Sequence, residues 1–348
     1  MTAKTPNKQT INSSSLDKSR LLDIVARLDQ AKVLVLGDLI LDEYLLGQPE
    51  RISREAPVII FKYIESNFKL GGAANAAANL ASFGVETCLI GVSGDDAGAD
   101  SLEAICKEQS IKLIMVRDKN RLTTTKTRII SNSSSNPDNG TGVQQQVLRV
   151  DREDSSELSA NDEELILEAY AKELANYDLV LLSDYSNGIF GEQLAAKAIK
   201  LAAQRKSIVD SNGDLTKFKG AYSFTPNQPD TEALLAIKIK TNQELETAGL
   251  AMKELLEAKE LLITRGAKGM ALFGDKTLDL IPAFNLSEVF DVSGAGDTVS
   301  ALYSAALAIG ATALEAAIIG NLAASIVVKK FGTATTSKEE LIELIEGL

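Results

Sequence analysis

The chain has 348 residues, enough for one large α/β domain or two ordinary ones, and its 45% hydrophobic and 24% charged residues are the balance of a soluble globular protein. A formal charge of −12, from 48 acidic and 36 basic residues, opposes an extended nucleic-acid backbone, and the longest apolar runs, such as residues 179–182, are too short to span a bilayer. The absence of histidine removes Ser-His-Asp and Cys-His catalysis and every His-ligated zinc site, so acid–base work falls to Asp, Glu, Lys or Tyr.

Residues 1–15, rich in Ser, Thr, Asn and Lys without an apolar centre, form neither a secretion signal nor a membrane anchor, and their composition predicts a disordered tail. Residues 16–28 carry apolar side chains at helical spacing (Leu21, Leu22, Ile24, Val25, Leu28), and 33–36 are a short apolar run ending at Gly37-Asp38, which predicts a buried parallel strand. Similar runs at 87–92, 179–183, 207–209 and 261–264 alternate with Ala- and Leu-rich helical stretches. The pattern predicts an α/β fold with a mostly parallel sheet covered on both faces.

Two stretches break that rhythm. Residues 58–63 and 126–130 read as half-buried or exposed strands, and 131–146, rich in Ser, Asn, Gly and Gln, suit a hairpin loop; together they predict a small β-lid at one edge of the sheet. Cys88 and Cys106 lie in apolar periodic segments and read as small buried hydrophobes. In an open parallel sheet ligands gather beyond the carboxyl ends of the strands, where Gly37-Asp38, Ser183-Asp184, Asp210 and Thr264-Arg265-Gly266 fall.

The segment Asp291-Val292-Ser293-Gly294-Ala295-Gly296-Asp297-Thr298 precedes an Ala-rich helical stretch that Gly310 closes. Its small residues let a ligand approach the backbone, and a helix start aims free N–H groups at an anion; Asp297 suits either a catalytic carboxylate or an ordinary first-turn acid. Near the front, Gly71-Gly72-Ala73-Ala74-Asn75 leads into a helix that places Asn75 and Asn79 on one face, where their amides suit sugar hydroxyls. No Gly-Lys-Ser/Thr phosphate loop and no complete dinucleotide-binding glycine pattern is present.

These two segments, with Gly91-Val92-Ser93-Gly94-Asp95-Asp96-Ala97-Gly98 and Thr264-Arg265-Gly266-Ala267-Lys268-Gly269, resemble the signatures of the ribokinase and phosphofructokinase B superfamily, in order from residue 31 to the end. Within it the chain is most similar to bacterial heptose-7-phosphate kinases, through residues 35–44, 51–58, 145–151 and 289–293. The resemblance implies a ribokinase-like domain over 16–348 with a lid from about 44–70 and 112–150, and a cytoplasmic kinase that moves phosphate from ATP to the C1 hydroxyl of D-glycero-D-manno-heptose 7-phosphate. It implies Asp297 as general base, with Gly294, Ala295 and Gly296 as an anion hole. Asp38, Asp42, Gly71, Gly72, Asn75 and Asp184 would meet the sugar, and Lys126, Arg128 and Arg149 its distal phosphate. Asn227, Asp230, Thr264, Gly266, Gly269 and Asn321 would line the nucleotide, with Asp230 reaching Mg2+ through water. A monovalent cation such as K+ near Asp291 and Gly332, and a homodimer paired lid to lid, follow by the same resemblance.

Two positions depart from the heptose kinases, which place lysine where this chain has Asn187 and Pro-Lys where it has Ser211-Asn212. The chain also stops soon after the kinase motifs, which places the following nucleotidyl transfer on another chain. Kinases of another sugar, and a catalytically silent sugar-binding relative, are the competing readings.

Overall fold

The computed structural model describes residues 6–12, 16–133, 143–284 and 289–348. In chain order the first half runs β1 (Asn7–Thr10), α1 (Lys18–Ala26), β2 (Lys32–Gly37), β3 (Leu39–Ile52), β4 (Ile59–Gly72), α2 (Ala73–Ala81), β5 (Glu86–Gly94), α3 (Ala97–Glu108) and β6 (Lys112–Asp118). Next come β7 (Thr125–Ser133), β8 (Val143–Arg152), α4 (Ala160–Glu173), β9 (Leu179–Asp184), α5 (Glu192–Leu201), β10 (Lys206–Ser211), β11 (Ser223–Phe224) and α6 (Gln228–Leu235). The chain ends with α7 (Asn242–Leu255), β12 (Glu260–Thr264), β13 (Met270–Phe273), β14 (Thr277–Ile281), α8 (Ala295–Ala308), α9 (Ala313–Val327) and α10 (Lys338–Gly347).

Among the described residues, ten strands form one sheet in the order β1-β14-β13-β12-β11-β10-β9-β2-β5-β6, parallel except where β13 runs against β12 and β14. The strand period of two sends alternate side chains to opposite faces. Val33 and Val35 join the core under α1, α2, α8 and α9, while Leu34 and Leu36 join the one under α4, α5 and α7. Burial on both faces is why the five expected strands are continuous apolar runs, and all five stand as β2, β5, β9, β10 and β12.

The lid is a four-stranded sheet, β4-β3-β7-β8. Its first strand in the chain, β3, starts one residue after β2, so Asp42 stands near the junction of the two sheets. Residues 112–118, expected in the lid, pair with β5 as the edge of the large sheet, and the lid's second half starts at Thr125. The expected hairpin loop shortens because both strands continue into it; residues 134–142 lie outside the described residues.

A second correction concerns the start of the chain. Asn7–Thr10, expected within a disordered tail, is an edge strand parallel to β14. Its four side chains are exposed, so no apolar signal marks it; the Asn7 N–H donates to the Lys276 carbonyl at 2.7 Å and the Ile11 N–H to that of Leu280 at 2.8 Å. Residues 1–5 and 13–15 lie outside the described residues.

Candidate active site

Asp297 stands in the first turn of α8, behind Gly294, which caps the helix in the left-handed region at φ 74°. A side chain at Gly294 would press on Asn75, since its Cβ would come within 2.6 Å of Nδ2. That close approach lets two elements far apart in sequence share one carboxylate. Asn75 Nδ2 donates to Asp297 Oδ2 at 2.6 Å, and Tyr185 Oη, from the loop after β9, donates to Oδ1 at 2.5 Å. Asp297 is only 2% exposed. Burial first, then the nearby Asp210 carboxylate, push it up to about 7, against the two hydrogen bonds that favour its charge.

Asn75 is itself fixed. Asn79, which the spacing placed beside it as a second sugar ligand, donates to its backbone oxygen at 2.9 Å and accepts from Thr298 Oγ1 at 2.9 Å, so that amide braces α2 against α8. Gly71 leaves room for Asp42, whose Oδ2 would lie 2.8 Å from an added Cβ. Gly72 starts α2 at φ 56°.

Two expected sugar ligands are taken up by the fold. Asp38 Oδ2 accepts the N–H groups of Tyr185 at 2.7 Å and Asn187 at 3.3 Å, and Oδ1 that of Ile189 at 3.3 Å, so it holds the loop that presents Tyr185. Burial and the Asp184 carboxylate push Asp38 up to about 6 despite those donors. Asp184 pairs with Lys217 at 2.8 Å and accepts from Ser211 Oγ at 2.7 Å. Lys217 thus brings a cation to the strand ends where Asn187 and Asn212 replace the expected lysines.

Cross-strand register puts Asp42, Lys69, Lys126 and Asp151 on one lid face, with Tyr44, Arg128 and Arg149 two residues along the same strands. Asp42 and Arg128 form a buried ion pair, and Arg128 and Lys69 lie over the Tyr44 ring at 5.4 and 5.2 Å. Burial works against the Arg128 charge, but Asp42 holds its pKa above the usual range. Lys126 pairs with Glu153 at 3.4 Å, and Arg149, half-exposed, with Asp151 at 2.9 Å. The three expected phosphate cations therefore share this face.

On the other side of the α8 start lies an apolar cavity of about 250 Å³. Ala295 and Gly296 line it with Thr264, Gly266, Gly269 and Asn321. A side chain at Gly269 would collide with the Ile281 carbonyl, 2.0 Å from its Cβ, at φ 77°. Asn321 Nδ2 is held by the Pro282 carbonyl at 2.7 Å. Asn227 caps α6, its Oδ1 accepting the Asp230 N–H at 2.8 Å, and bridges to Thr264. The α8 N-terminus thus separates an apolar cavity from a buried carboxylate, with residues 295–296 facing one and 297 the other. A phosphate between them would meet free helical N–H groups and a favourable dipole.

Over residues 30–340 the sequence matches the pfkB family of carbohydrate kinases. The chain belongs to this family. Like other pfkB kinases it is a sugar kinase, an enzyme that uses ATP. It is 38% identical over 315 residues to the bifunctional protein HldE of a Nitratiruptor species, covering 90% of this chain and 64% of that protein. It is 37% identical over 333 residues to the HldE of Geotalea uraniireducens, covering 94% and 65%. The chain therefore spans less than two thirds of these relatives. In fold it is similar to Escherichia coli phosphofructokinase-2 in complex with potassium (TM-score 0.73, 16% identity) and Arabidopsis thaliana ribokinase complexed with ribose and ATP (TM-score 0.67, 20% identity), covering 91% of this chain and 99% of each.

The donor set of this pfkB kinase fits a magnesium ion held mostly by nucleotide phosphates. No group of three metal-ligating side chains occurs among the described residues, and Asp230, raised by burial, is a single carboxylate in the first turn of α6. Asp291 ties two loops together, accepting the N–H groups of Ser293 and Gly332 at 2.9 Å each, which holds it below the usual carboxylate range against burial. No helix among the described residues is long and apolar enough to cross a membrane.

Sequence reasoning missed Tyr185, Lys69 and Lys217, and it put Asp210 at a strand end where ligands gather without giving it a role. Tyr185 had one signal, its place directly after the strand end Ser183-Asp184; its partner is 112 residues away. Asp210 is partly buried, and desolvation pushes it up to about 6, with hydrogen bonds from Ser300 and Thr225 opposing the shift.

Proposed function

We propose that the protein phosphorylates the C1 hydroxyl of D-glycero-D-manno-heptose 7-phosphate from ATP, with Asp297 as the general base. The observation that carries this reading is the α8 N-terminus, which presents Gly294, Ala295 and Gly296 to the phosphoryl group and Asp297 to the acceptor. The sugar oxygen forms its bond to the γ-phosphorus as the bond to ADP breaks, and the hydroxyl proton passes to Asp297. A carboxylate poised near 7 accepts that proton readily at neutral pH. Phosphoryl transfer asks otherwise for positioning and neutralised charge, which the helix start and the lid cations provide. Magnesium, reached by Asp230 through water, supplies charge neutralisation on the phosphates when bound.

The heptose is supported by the likeness to bifunctional HldE proteins and by the cation-bearing lid face, which suits a distal phosphate. In this reading Asp42 and Asn75 meet sugar hydroxyls, Lys126, Arg128 and Arg149 the 7-phosphate, and Thr264, Gly266, Gly269 and Asn321 the nucleotide. The loops joined by Asp291 take a K+ ion. The enzyme works in the cytoplasm as a homodimer, since the outer lid face exposes Phe68, Leu148 and Val150; Leu148→Glu would shift its mass in light scattering towards the monomer. The Asn187 and Asn212 positions favour a second reading, a different sugar phosphate.

The test is ADP release from magnesium-ATP with heptose 7-phosphate, fructose 6-phosphate, ribose and fructose. Asp297→Asn is expected to lower kcat on the order of 10² to 10⁴ while ATP binding stays intact. Wild-type turnover in that variant would remove Asp297 from the mechanism, and turnover confined to another sugar would replace the substrate.

A further inference from the structure

Two arms of unequal rigidity hold the Asp297 carboxylate. Asn75, the first, is buried on α2, where its amide oxygen accepts from Asn79 at 3.3 Å, and Asn79 in turn accepts from Thr298 of α8 at 2.9 Å. Tyr185, the second, is half-buried on the loop after β9, beside exposed Ser186 at φ 59° and Gly188 at φ 89°. Its ring lies 5.9 Å from the Lys126 ammonium of the lid, and its hydroxyl donates to Oδ1 at 2.5 Å. An O–H donated to the base, reached from a loop and covered by the lid, reproduces the contact that an acceptor hydroxyl must make.

We propose that the Tyr185 hydroxyl is a placeholder for the sugar hydroxyl, filling Oδ1 of Asp297 until the acceptor enters and displaces it. The proposal rests on Asp297 being the base. Tyr185 is a positioning residue in this scheme: burial first, then the Asp297 charge, hold its phenol well above the usual tyrosine range, so it stays a donor and does not become a nucleophile. Asn75 is the less displaceable arm because it is buried on a helix and its amide oxygen is braced by Asn79 at 3.3 Å.

The consequence concerns water. While the phenol fills the position on Oδ1 that an acceptor hydroxyl must take, a water molecule cannot stand there to give up its proton, and ATP is preserved until sugar arrives. Without the phenol hydroxyl a water takes that place. Its oxygen forms a bond to the γ-phosphorus, the bond from that phosphorus to the bridging oxygen of ADP breaks, and the proton passes through Asp297 to solvent, leaving ADP and phosphate.

The experiment is ADP release from magnesium-ATP in the absence of any sugar, for wild type, Tyr185→Phe and Tyr185→Leu, each also combined with Asp297→Asn. Phe keeps the half-exposed ring, and Leu removes the hydroxyl by a second route. Both variants are expected to hydrolyse ATP about fivefold faster than wild type or more, and Asp297→Asn to abolish the gain. A gain of activity separates this role from a structural one, which would only lose it. Hydrolysis at or below the wild-type rate in either variant overturns the proposal, as does a gain that survives Asp297→Asn. The base assignment fails independently, through wild-type sugar turnover in Asp297→Asn alone.

Discussion

On one side of the α8 start is an apolar cavity of about 250 Å³ lined by glycines and apolar side chains, whereas on the other is a set of buried charged and polar groups already bonded to one another. An apolar cavity accepts a flat base without rearrangement, because its walls need no partners and its shape is held by packing. Buried polar groups cannot wait unpaired, since each would carry its full desolvation cost. Asp297, Asp42 and Asp38 therefore hold partners of their own, and a ligand entering there would have to exchange with some of them. The difference teaches that a ligand in the cavity would draw on preformed shape, whereas one at Asp297 would have to replace internal hydrogen bonds.

The sharpest way to break the comparison is Arg128→Met, which leaves Asp42 buried without its cation. A loss of about 3–5 kcal/mol in urea unfolding is expected, and Arg128→Met with Asp42→Leu should recover much of it. Loss of less than about 1 kcal/mol in the single variant would show that the sugar side is not held together by its own charges. On the nucleotide side, Gly296→Val places methyl groups where an added Cβ meets no atom within 4 Å. The KM for ATP should rise about tenfold or more with the sugar KM unchanged; equal rises would show that the two halves do not act separately.

A third effect is on stability against pH. Asp297, pushed up to about 7 in the folded protein, binds a proton that the unfolded chain, near 3.8, has released. The folded state therefore holds more protons between those values, and this group's contribution to stability falls as pH rises through that window. The Tm of Asp297→Asn, measured against wild type by calorimetry, should improve by a few degrees on going from about pH 4 to pH 8. A difference that stays constant with pH would place the Asp297 pKa near its ordinary value.

Much of this site was legible because it is local. Gly294 to Asp297 are consecutive, their small side chains and first-turn acid announce a helix start that can hold an anion, and the structure puts them there. Asn75 was legible for the same reason, on a helix entered through Gly71 and Gly72. Asn79 was not, since the i and i+4 spacing that placed it beside Asn75 could not say which amide faces the cleft and which faces Thr298. Asp38 carries the same lesson: a carboxylate at a strand end suits a ligand or a loop equally, and its three backbone partners come from residues 185–189, nearly 150 positions on.

The sequence by itself determined the α/β class, the five buried strands and the position of the helix that begins at Ala295, because hydrophobic period and glycine placement act over a few residues. Only the tertiary structure decided that exposed, polar Asn7–Thr10 is a strand, since its hydrogen bonds come from β14 and no side chain signals them. It also decided that Tyr185 and Asp210 bear on Asp297, and that Lys217 reaches Asp184. These are encounters between chain segments far apart in sequence, and they exist only once the parallel sheet has set its strand ends side by side.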